Sequence, residues 1–457
     1  MNQRTTTKLA ATGAAALAIL PATAFAQEVS ETQFVLNSFL FLFGGVLVMF
    51  MAAGFCMLEA GLVRSKNVAD ICLKNVALYS LAGVAYYFIG YELMYGVGEG
   101  GWIGRLAVWS PSELASDETI SLESGYASTS DWFFQMVFVA TAASIVSGAV
   151  AERVKLTPFL LFVLVLTGII YPIQGAWSWG GGFLKTLGFS DFAGSTIVHA
   201  AGGWAALTGV LILGARTGRY DEEGGIHPMP ASNVPLATLG VFILWLGWFG
   251  FNGASQLALG SAADVVAVSQ IFANTNMAAA GGVLGAFVYC KARFGRVDLS
   301  LVLNGALGGL VTITAEPLTP SIGQAILFGS MGGLLVSVAT PLLDKFKIDD
   351  VVGAIPVHLF AGTFGTLLVP LTNAEASFVT QMIGILCVAA FVVPLSALTW
   401  MGLKLTLGIR LPAEEEITGS DLAEIGLVAY PEFQNLTTPT AEPVAPATSS
   451  AAALPAE

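Results

Sequence analysis

Long apolar stretches alternate with short polar connections along most of this chain. A helix that crosses a bilayer needs about 20 mostly apolar residues. Eleven stretches meet this requirement, at about residues 34–60, 71–95, 131–151, 157–177, 193–214, 234–258, 264–290, 299–316, 321–342, 351–371 and 378–405. The pattern therefore predicts an all-α polytopic membrane protein with eleven transmembrane helices.

Lysine and arginine residues between the predicted helices are unevenly distributed. Alternate loops and the end of the last helix hold thirteen of them, whereas the opposite loops hold only Arg105 and Lys185. Because basic residues are retained on the cytoplasmic side, the basic loops are predicted to be cytoplasmic. With an odd number of helices, the N-terminus is then periplasmic and the C-terminus cytoplasmic.

The two ends of the chain differ in composition from the middle. Residues 1–26 carry two basic residues, an apolar alanine-rich run and the sequence Ala24-Phe25-Ala26, which is typical of a cleaved signal peptide. We expect a membrane domain at 27–411 and a cytoplasmic segment at 412–435. Residues 436–457 consist mainly of Thr, Pro, Ala and Ser and are predicted to be disordered.

Composition agrees with this class and excludes several functions. The chain is 55% hydrophobic and 11% charged, against roughly 25% charged residues in soluble domains. Its formal net charge of −13 argues against nucleic acid as a partner, whereas membrane lipid is an expected one. The four cysteines form no CxxC pair, and nucleotide-binding and zinc-protease motifs are absent, so no cofactor or metal is predicted.

Two of the three histidines occupy the same short pattern. The pattern Asp-x6-Val-His-x3-Gly begins at Asp191, reaching His199, and begins again at Asp350, reaching His358. The copies fall in the fifth and tenth predicted helices, so an odd number of helices separates them. The sequence therefore predicts inverted five-helix repeats plus one extra helix, with the transported species meeting the protein near the membrane midplane.

Ionisable residues within membrane helices are costly and usually functional. We expect His199 and His358 to be neutral or to share one proton, since burial disfavours the imidazolium. Asp191 precedes a helix predicted to begin near Phe192, where a carboxylate acts as an N-cap. It also offers a fixed negative charge that would favour a cation near the outer mouth, and both interpretations can hold.

Aromatic and hydroxyl side chains surround this repeat in the sequence. Phe134 and Phe138 are four residues apart and share one face of the third predicted helix. Trp179 stands beside three glycines, and its ring face would attract a cation by about 0.5–2 kcal/mol. Ser255 offers a hydroxyl acceptor. Each residue also has a structural interpretation, because aromatic stripes commonly pack and small polar residues commonly serve helix contacts.

Five ordered motifs carry a resemblance to a known family. They are LEAGLVRSKN (58–67), FFQMVFVATAASIVSGAVAERVK (133–155), WGGG…DFAGSTIVH (179–199), GWFGFNGAS (247–255) and DDVVGAIPVHLFAG (349–362). Over residues 34–430 the chain resembles the ammonium transporter family (Amt/MEP/Rh). The resemblance implies homotrimers with a pore through each subunit, and a PII signalling protein as partner of the cytoplasmic loops and of a regulatory segment at 412–435.

The resemblance also assigns roles to individual positions, matched motif by motif. It implies a substrate-binding site at Trp179, Phe138 and Ser255, a gate at Phe138, Phe251 and Phe134, pore histidines at His199 and His358, and an essential acid at Asp191. The sequence departs from the family at Gly353, where many members carry aspartate, and at 424–428, where a His-Gly-Glu-like sequence is common. The inner vestibule is therefore expected to differ in polarity, and the resemblance supports transport more strongly than regulation by PII.

The most direct hypothesis is an ammonium transporter of the bacterial inner membrane. It would recruit ammonium at the outer aromatic site, deprotonate it, and conduct ammonia past the histidines, with the proton returned or relayed. An alternative is an ammonium sensor of the same fold, although no output domain is recognisable after residue 411. A membrane-embedded enzyme using the histidines as acid and base is a third hypothesis, which lacks a nearby nucleophile or metal set.

Overall fold

The computed structural model describes residues 29–433, and the regular structure in that range is helical apart from two isolated β-bridges. The predicted signal peptide and the predicted disordered tail lie outside the described residues. The main helices are α1 Glu31–Leu62, α2 Ser65–Tyr95, α3 Ser128–Ala149, α4 Leu156–Ala176, α5 Ser195–Leu213, α6 Val234–Gln256, α7 Ala262–Phe294, α8 Leu299–Thr314, α9 Ile322–Lys345, α10 Ile355–Leu371 and α11 Phe378–Thr406.

Helix length and composition agree with the predicted membrane fold. Within residues 29–433, nine helices are long and apolar enough to cross a membrane. The other two, α8 and α10, are apolar but shorter. The prediction of an all-α, multi-pass membrane protein is confirmed, while the exact count of eleven spanning helices stays a prediction.

Glycines allow several helices to approach one another closely. A Cβ atom at Gly282 of α7 would collide with the carbonyl oxygen of Gly305 in α8, and one at Gly333 of α9 would collide with that of Gly282. Small residues at such crossings bring backbones into van der Waals contact, which drives helix association in lipid. Gly54 of α1 and Gly240 of α6 bring these two helices together in the same way, because neither glycine has a side chain to separate the backbones.

Burial distinguishes the centre of the bundle from its surface. Residues 134–154 of α3 and the following turn are all buried, and α5 and α10 pack beside this region. Large apolar side chains on the outside are exposed instead, for example Phe39, Phe43 and Phe50 on α1. Exposed apolar side chains suit contact with lipid. Polar residues at the centre of the bundle are costly in a membrane and therefore suggest function.

The first turns of α5 and α10 are π-helical rather than α-helical. These turns are Ser195–Ala200 and Ile355–Phe360, and each contains one of the two repeated histidines. A π-helical turn is uncommon and frequently lies at a functional site, because the wider turn re-aims side chains. The internal repeat seen in the sequence is therefore also a repeat of local backbone structure.

The segment after α11 packs against the connections at one end of the bundle. It forms two short helices, Ala413–Thr418 and Ser420–Ile425. The Asp421 carboxylate accepts a hydrogen bond from the Asp70 backbone N–H at 2.8 Å, and the Glu416 carboxylate pairs with Arg410 at 2.8 Å. These contacts fix the segment against the loops that the sequence predicts to be cytoplasmic.

Candidate functional site

A cavity of about 600 Å³ opens at one end of the bundle and is lined mainly by aromatic rings. We call it the aromatic cavity. The predicted site residues on its wall are Phe134, Phe138, Trp179, Asp191 and Ser255. They come from α3, α6 and the connection between α4 and α5, so residues more than 100 positions apart are brought to one surface.

Trp179 and Ser255 are each oriented by one hydrogen bond to backbone. The Trp179 indole N–H donates to the Asp191 carbonyl oxygen at 2.9 Å, and its ring lies edge-on to Phe138 with centroids 6.0 Å apart. The Ser255 hydroxyl donates to the Phe251 carbonyl oxygen at 2.7 Å. Because that hydroxyl uses its hydrogen, its lone pairs are left as acceptors on the cavity wall.

Beneath the aromatic cavity, four rings form a continuous stack. Phe138 and Phe251 have centroids 4.1 Å apart and an interplanar angle of 29°. The next intervals are 5.1 Å from Phe251 to His199 and 5.2 Å from His199 to His358. Phe134 lies beside the stack, edge-on to Phe138 at 4.8 Å. The two phenyl rings are fully buried, so they separate the aromatic cavity from the histidines.

The paired imidazoles are in direct contact with one another. Their Nδ1 atoms lie 3.2 Å apart, and both side chains are buried. At this separation one Nδ1 atom must carry a hydrogen while the other accepts it, so the two rings share one hydrogen at this contact. Within the described part of the chain, His199 Nε2 has no hydrogen-bond partner, although it is buried. This unpaired nitrogen is available to a small polar solute.

Asp191 anchors the first turn of α5. Its carboxylate accepts backbone N–H hydrogen bonds from Gly194, at 3.2 Å, and from Ser195, Thr196 and Ile197, each at 2.8 Å. The helix begins at Ser195 and not near Phe192, so that sequence expectation is wrong by a few residues. The reason is Gly194, whose φ of 108° turns the chain before the helix starts.

Asp350 repeats this arrangement before α10. Its carboxylate accepts hydrogen bonds from the backbone N–H of Gly353 at 3.1 Å and of Ile355 at 2.6 Å. Gly353 has a φ of 80°, and it follows Asp350 by three residues, as Gly194 follows Asp191. The departure from the family noted at Gly353 is therefore a left-handed position that glycine adopts without strain.

A second cavity, of about 180 Å³, lies beyond the histidines, and most of its lining residues are apolar, but four are charged. We call it the charged cavity; its wall includes Arg216, Arg219, Asp344 and Asp350. Beside it, Arg216 binds Asp349 in a bidentate pair, with both N–O distances 2.8 Å. Although burial alone would raise the pKa of Asp349, the hydrogen bonds and charge of Arg216 hold it well below its usual range.

Sequence analysis did not single out Asp131, an acidic residue on the wall of the aromatic cavity. It is buried at the first turn of α3, where its carboxylate accepts hydrogen bonds from the Tyr91 hydroxyl at 2.6 Å and the Gln135 amide at 3.1 Å. The available signal was an acidic residue inside a predicted membrane helix, which is rare enough to suggest function.

Comparison with known sequences connects this geometry to characterised relatives. A model of the Ammonium Transporter Family matches residues 39–430. The chain is 39% identical over 420 residues to ammonium transporter Amt2 of Archaeoglobus fulgidus, covering 85% of this chain and 87% of that protein. It is also 39% identical over 405 residues to a putative ammonium transporter of Synechocystis, covering 87% and 90% of the two chains.

Solved structures show the same fold. A structure described as a sensor Amt protein matches with a TM-score of 0.80 and 34% identity, covering 86% of this chain and 99% of that one. The Mep2 structure from Candida albicans matches with a TM-score of 0.74 and 26% identity, covering 88% and 92%. The resemblance inferred from the five motifs is thus confirmed over most of the chain. The protein belongs to the ammonium transporter family and is a membrane transporter rather than an enzyme.

Proposed function

We propose that this chain recruits the ammonium ion in the aromatic cavity, between Trp179, Phe138 and Ser255. Ring faces attract a cation by about 0.5–2 kcal/mol, and a hydroxyl lone pair accepts one of its N–H groups. The backbone hydrogen bonds of Trp179 and Ser255 support this assignment, because they hold both groups toward one space. Asp131 and Asp191 lie on the same wall as a single lysine, Lys185, so acidic groups outnumber basic ones and favour a cation over an anion.

The proton is lost where the pathway narrows, below the cavity. Phe138 and Phe251 stack at 4.1 Å and present no polar atom that would replace the hydration of an ion. Moving a bare charge into such surroundings costs tens of kcal/mol, whereas neutral ammonia avoids that penalty. Sodium and potassium ions have no proton to lose, so the same constriction gives selectivity against them.

Ammonia then passes His199 and His358, and the imidazole pair handles the proton. The single observation that carries this proposal is the unbroken stack of two phenyl and two imidazole rings. A ring nitrogen without a partner, such as His199 Nε2, accepts an N–H group of the passing solute. The proton is returned outward or relayed along the imidazoles.

Flux through the purified full chain in proteoliposomes tests this proposal. We expect an ammonium gradient to drive uptake, and both His199→Ala and His358→Ala to alter the charge moved per ammonium. Phe43→Leu is the matched control, because Phe43 is half exposed on the outer face of α1. Unchanged flux and charge in both histidine variants would contradict the proposed role of the pair.

We place the protein in the bacterial inner membrane as a homotrimer with one pathway per subunit. The basic loops put the charged cavity on the cytoplasmic side, with a periplasmic N-terminus and a cytoplasmic C-terminus. The segment 412–433 supports regulation from that side, because it is held against the cytoplasmic loops by Glu416 and Asp421. Titration with a PII protein and a mass measurement in detergent test the partner and the trimer.

Likeness to a sensor protein favours a second candidate function, ammonium sensing by the same fold. In that case ammonium would occupy the aromatic cavity without crossing the ring stack. The closed packing of Phe138 on Phe251 is compatible with such a role. Liposome flux separates the two functions, since a sensor that does not conduct binds ammonium with no uptake above that of empty vesicles.

A further inference from the structure

Glu59 is a buried acid that the proposed pathway has not used. We propose that it is a proton-binding residue on the inner side of the histidine pair, which takes the proton released from ammonium and passes it toward the charged cavity. This inference rests on the proposed function. It adds a specific residue that carries the proton after the imidazoles, on the side away from the aromatic cavity.

Helix geometry places Glu59 one turn of α1 beyond a residue that contacts His358. The ring of Phe55, one turn earlier on α1, lies 6.1 Å from the His358 ring between centroids. Residues four apart share one face of a helix, so Glu59 continues the same face one turn farther along. It is 1% exposed, near the end of α1.

A small cavity joins the two side chains. Glu59 and His358 both line a space of about 10 Å³, whose other walls include Ile145, Val357 and Gly148. A Cβ atom at Gly148 would lie 3.3 Å from Glu59 Cγ, so the missing side chain keeps this space open. The volume is close to the least that holds one water molecule, which is enough to relay a proton.

The two carboxylate oxygens of Glu59 have different surroundings. Oε2 accepts hydrogen bonds from the Ser147 hydroxyl at 2.7 Å and from the Asn75 amide at 3.2 Å. Oε1 is buried and has no partner among the described residues. Buried polar atoms are nearly always paired, so an unpaired carboxylate oxygen beside a cavity indicates a group that binds something.

Two charged residues of α2 lie near Glu59. They are Lys74 and Asp70, whose charges act on the Glu59 carboxylate. The Lys74 ammonium donates to the Ser147 carbonyl oxygen at 3.0 Å, and within residues 29–433 it makes no ion pair with Glu59. A direct ion pair would hold the carboxylate ionised, whereas this indirect contact leaves Oε1 free to gain a proton.

The step balances without any further reactant. An imidazolium of the histidine pair loses one N–H proton to water in the shared cavity, and that water gives a proton to Glu59 Oε1. The imidazole becomes neutral and the carboxylate becomes a carboxylic acid. The acid later loses its O–H proton to solvent on the side of the charged cavity, which restores the carboxylate for the next ammonium.

Current and uptake in proteoliposomes of the full chain test the inference through Glu59→Gln, Glu59→Asp and Ser147→Ala. We expect Glu59→Gln to reduce the ammonium-evoked charge movement by roughly 10²-fold, the scale of a lost proton-transfer group. Glu59→Asp keeps a titratable acid and is expected to retain much of the current with a displaced pH profile. Ser147→Ala removes one partner of Glu59 but keeps the acid, so its current is expected to persist.

Three other results would contradict the inference. Wild-type current and pH profile in Glu59→Gln would show that no proton passes through this acid. Equal losses in Glu59→Gln and Glu59→Asp, or losses in all three variants that follow their thermal unfolding midpoints, would show a purely structural role. Failure of the proposed function itself is distinguishable, because the wild-type protein would then move no ammonium.

Discussion

The two histidine-bearing helices begin with the same local structure but are anchored differently. Before α5, one carboxylate, Asp191, accepts four backbone N–H groups. Before α10, Asp350 accepts two by direct hydrogen bonds at 3.1 and 2.6 Å, and its neighbour Asp349 is bound to Arg216. The anchoring on the side of the aromatic cavity is local, while on the other side it is shared with an ionic network.

This difference shows how two copies of one repeat acquire different surroundings. The repeated Asp, Gly and His positions fix the backbone and bring the imidazoles to contact. The surroundings then separate the two ends, since aromatic rings line one cavity and arginine and aspartate line the other. In the proposed function, a cation enters at the aromatic end and a proton leaves at the charged end.

The largest expected effect comes from removing the two anchoring carboxylates. Each hydrogen bond to a charged group contributes about 1.5–3 kcal/mol, so Asp191→Ala is expected to lower the free energy of unfolding by several kcal/mol. Asp350→Ala removes half as many direct bonds and is expected to cost less. Thermal unfolding midpoints of the purified variants in detergent measure which substitution is more destabilising. A larger drop in the midpoint for Asp350→Ala would refute the comparison.

The two left-handed glycines provide the next test. A Cβ at Gly194 would lie 2.5 Å from Val198 Cγ2, a branched side chain within the π-helical turn, whereas at Gly353 it would meet the end of the Asn304 side chain. Both substitutions to alanine force a positive φ, which costs about 1–3 kcal/mol. We expect Gly194→Ala to be the more destabilising, because Asn304 can turn away. Equal unfolding midpoints would contradict this.

A smaller effect is expected for ammonium affinity at the two ends. Trp179→Leu removes a cation–π contact of about 0.5–2 kcal/mol and is expected to raise the half-saturating ammonium concentration several-fold. Arg219→Ala, at the charged cavity, serves as the comparison and is expected to leave that concentration unchanged. Initial uptake rates over a range of external ammonium measure both, and an equal rise in the two variants would remove the distinction between the cavities.

The smallest effect is expected from the C-terminal segment, which contacts only the charged end. Glu416→Ala removes an ion pair with Arg410 and hydrogen bonds to Thr217. Glu416 is buried, but Arg410 is one-third exposed, so solvent screens the ion pair, and exposed pairs contribute about 0.2–1 kcal/mol. We expect faster proteolysis of the segment with little change in the unfolding midpoint, and exposed Glu415→Ala as control should change neither. Undisturbed proteolysis in Glu416→Ala would show that other contacts hold the segment.

Local patterns in the sequence were sufficient to predict much of the fold. Runs of apolar residues located the main helices, since each run is long enough to satisfy the backbone within a membrane. Helix starts were less certain, as at α5, because a backbone turn at Gly194 leaves little trace in hydropathy. The π-helical turns were not predictable, because nothing in the local sequence distinguishes them from α-helical turns.

Part of the candidate site could also be predicted from local sequence patterns. The repeated histidines, Asp191 and the aromatic residues were identified from repeat and motif. Asp131 and Glu59 were not assigned to the pathway, because each lies near the end of a predicted helix, where an acidic residue is ordinarily solvated. Only packing shows that both are buried, one in the aromatic cavity and the other beside His358.

By itself, the sequence determined the membrane class, the repeat and the chemical groups available. Hydropathy and short repeats are properties of residues that are close in the sequence, so they can be recognised without knowledge of long-range contacts. Tertiary structure alone decided that Phe138, Phe251, His199 and His358 form one stack and that the Nδ1 atoms lie 3.2 Å apart. Those distances depend on how four separate helices pack, and helix packing is set by close contacts between residues that are distant in the chain.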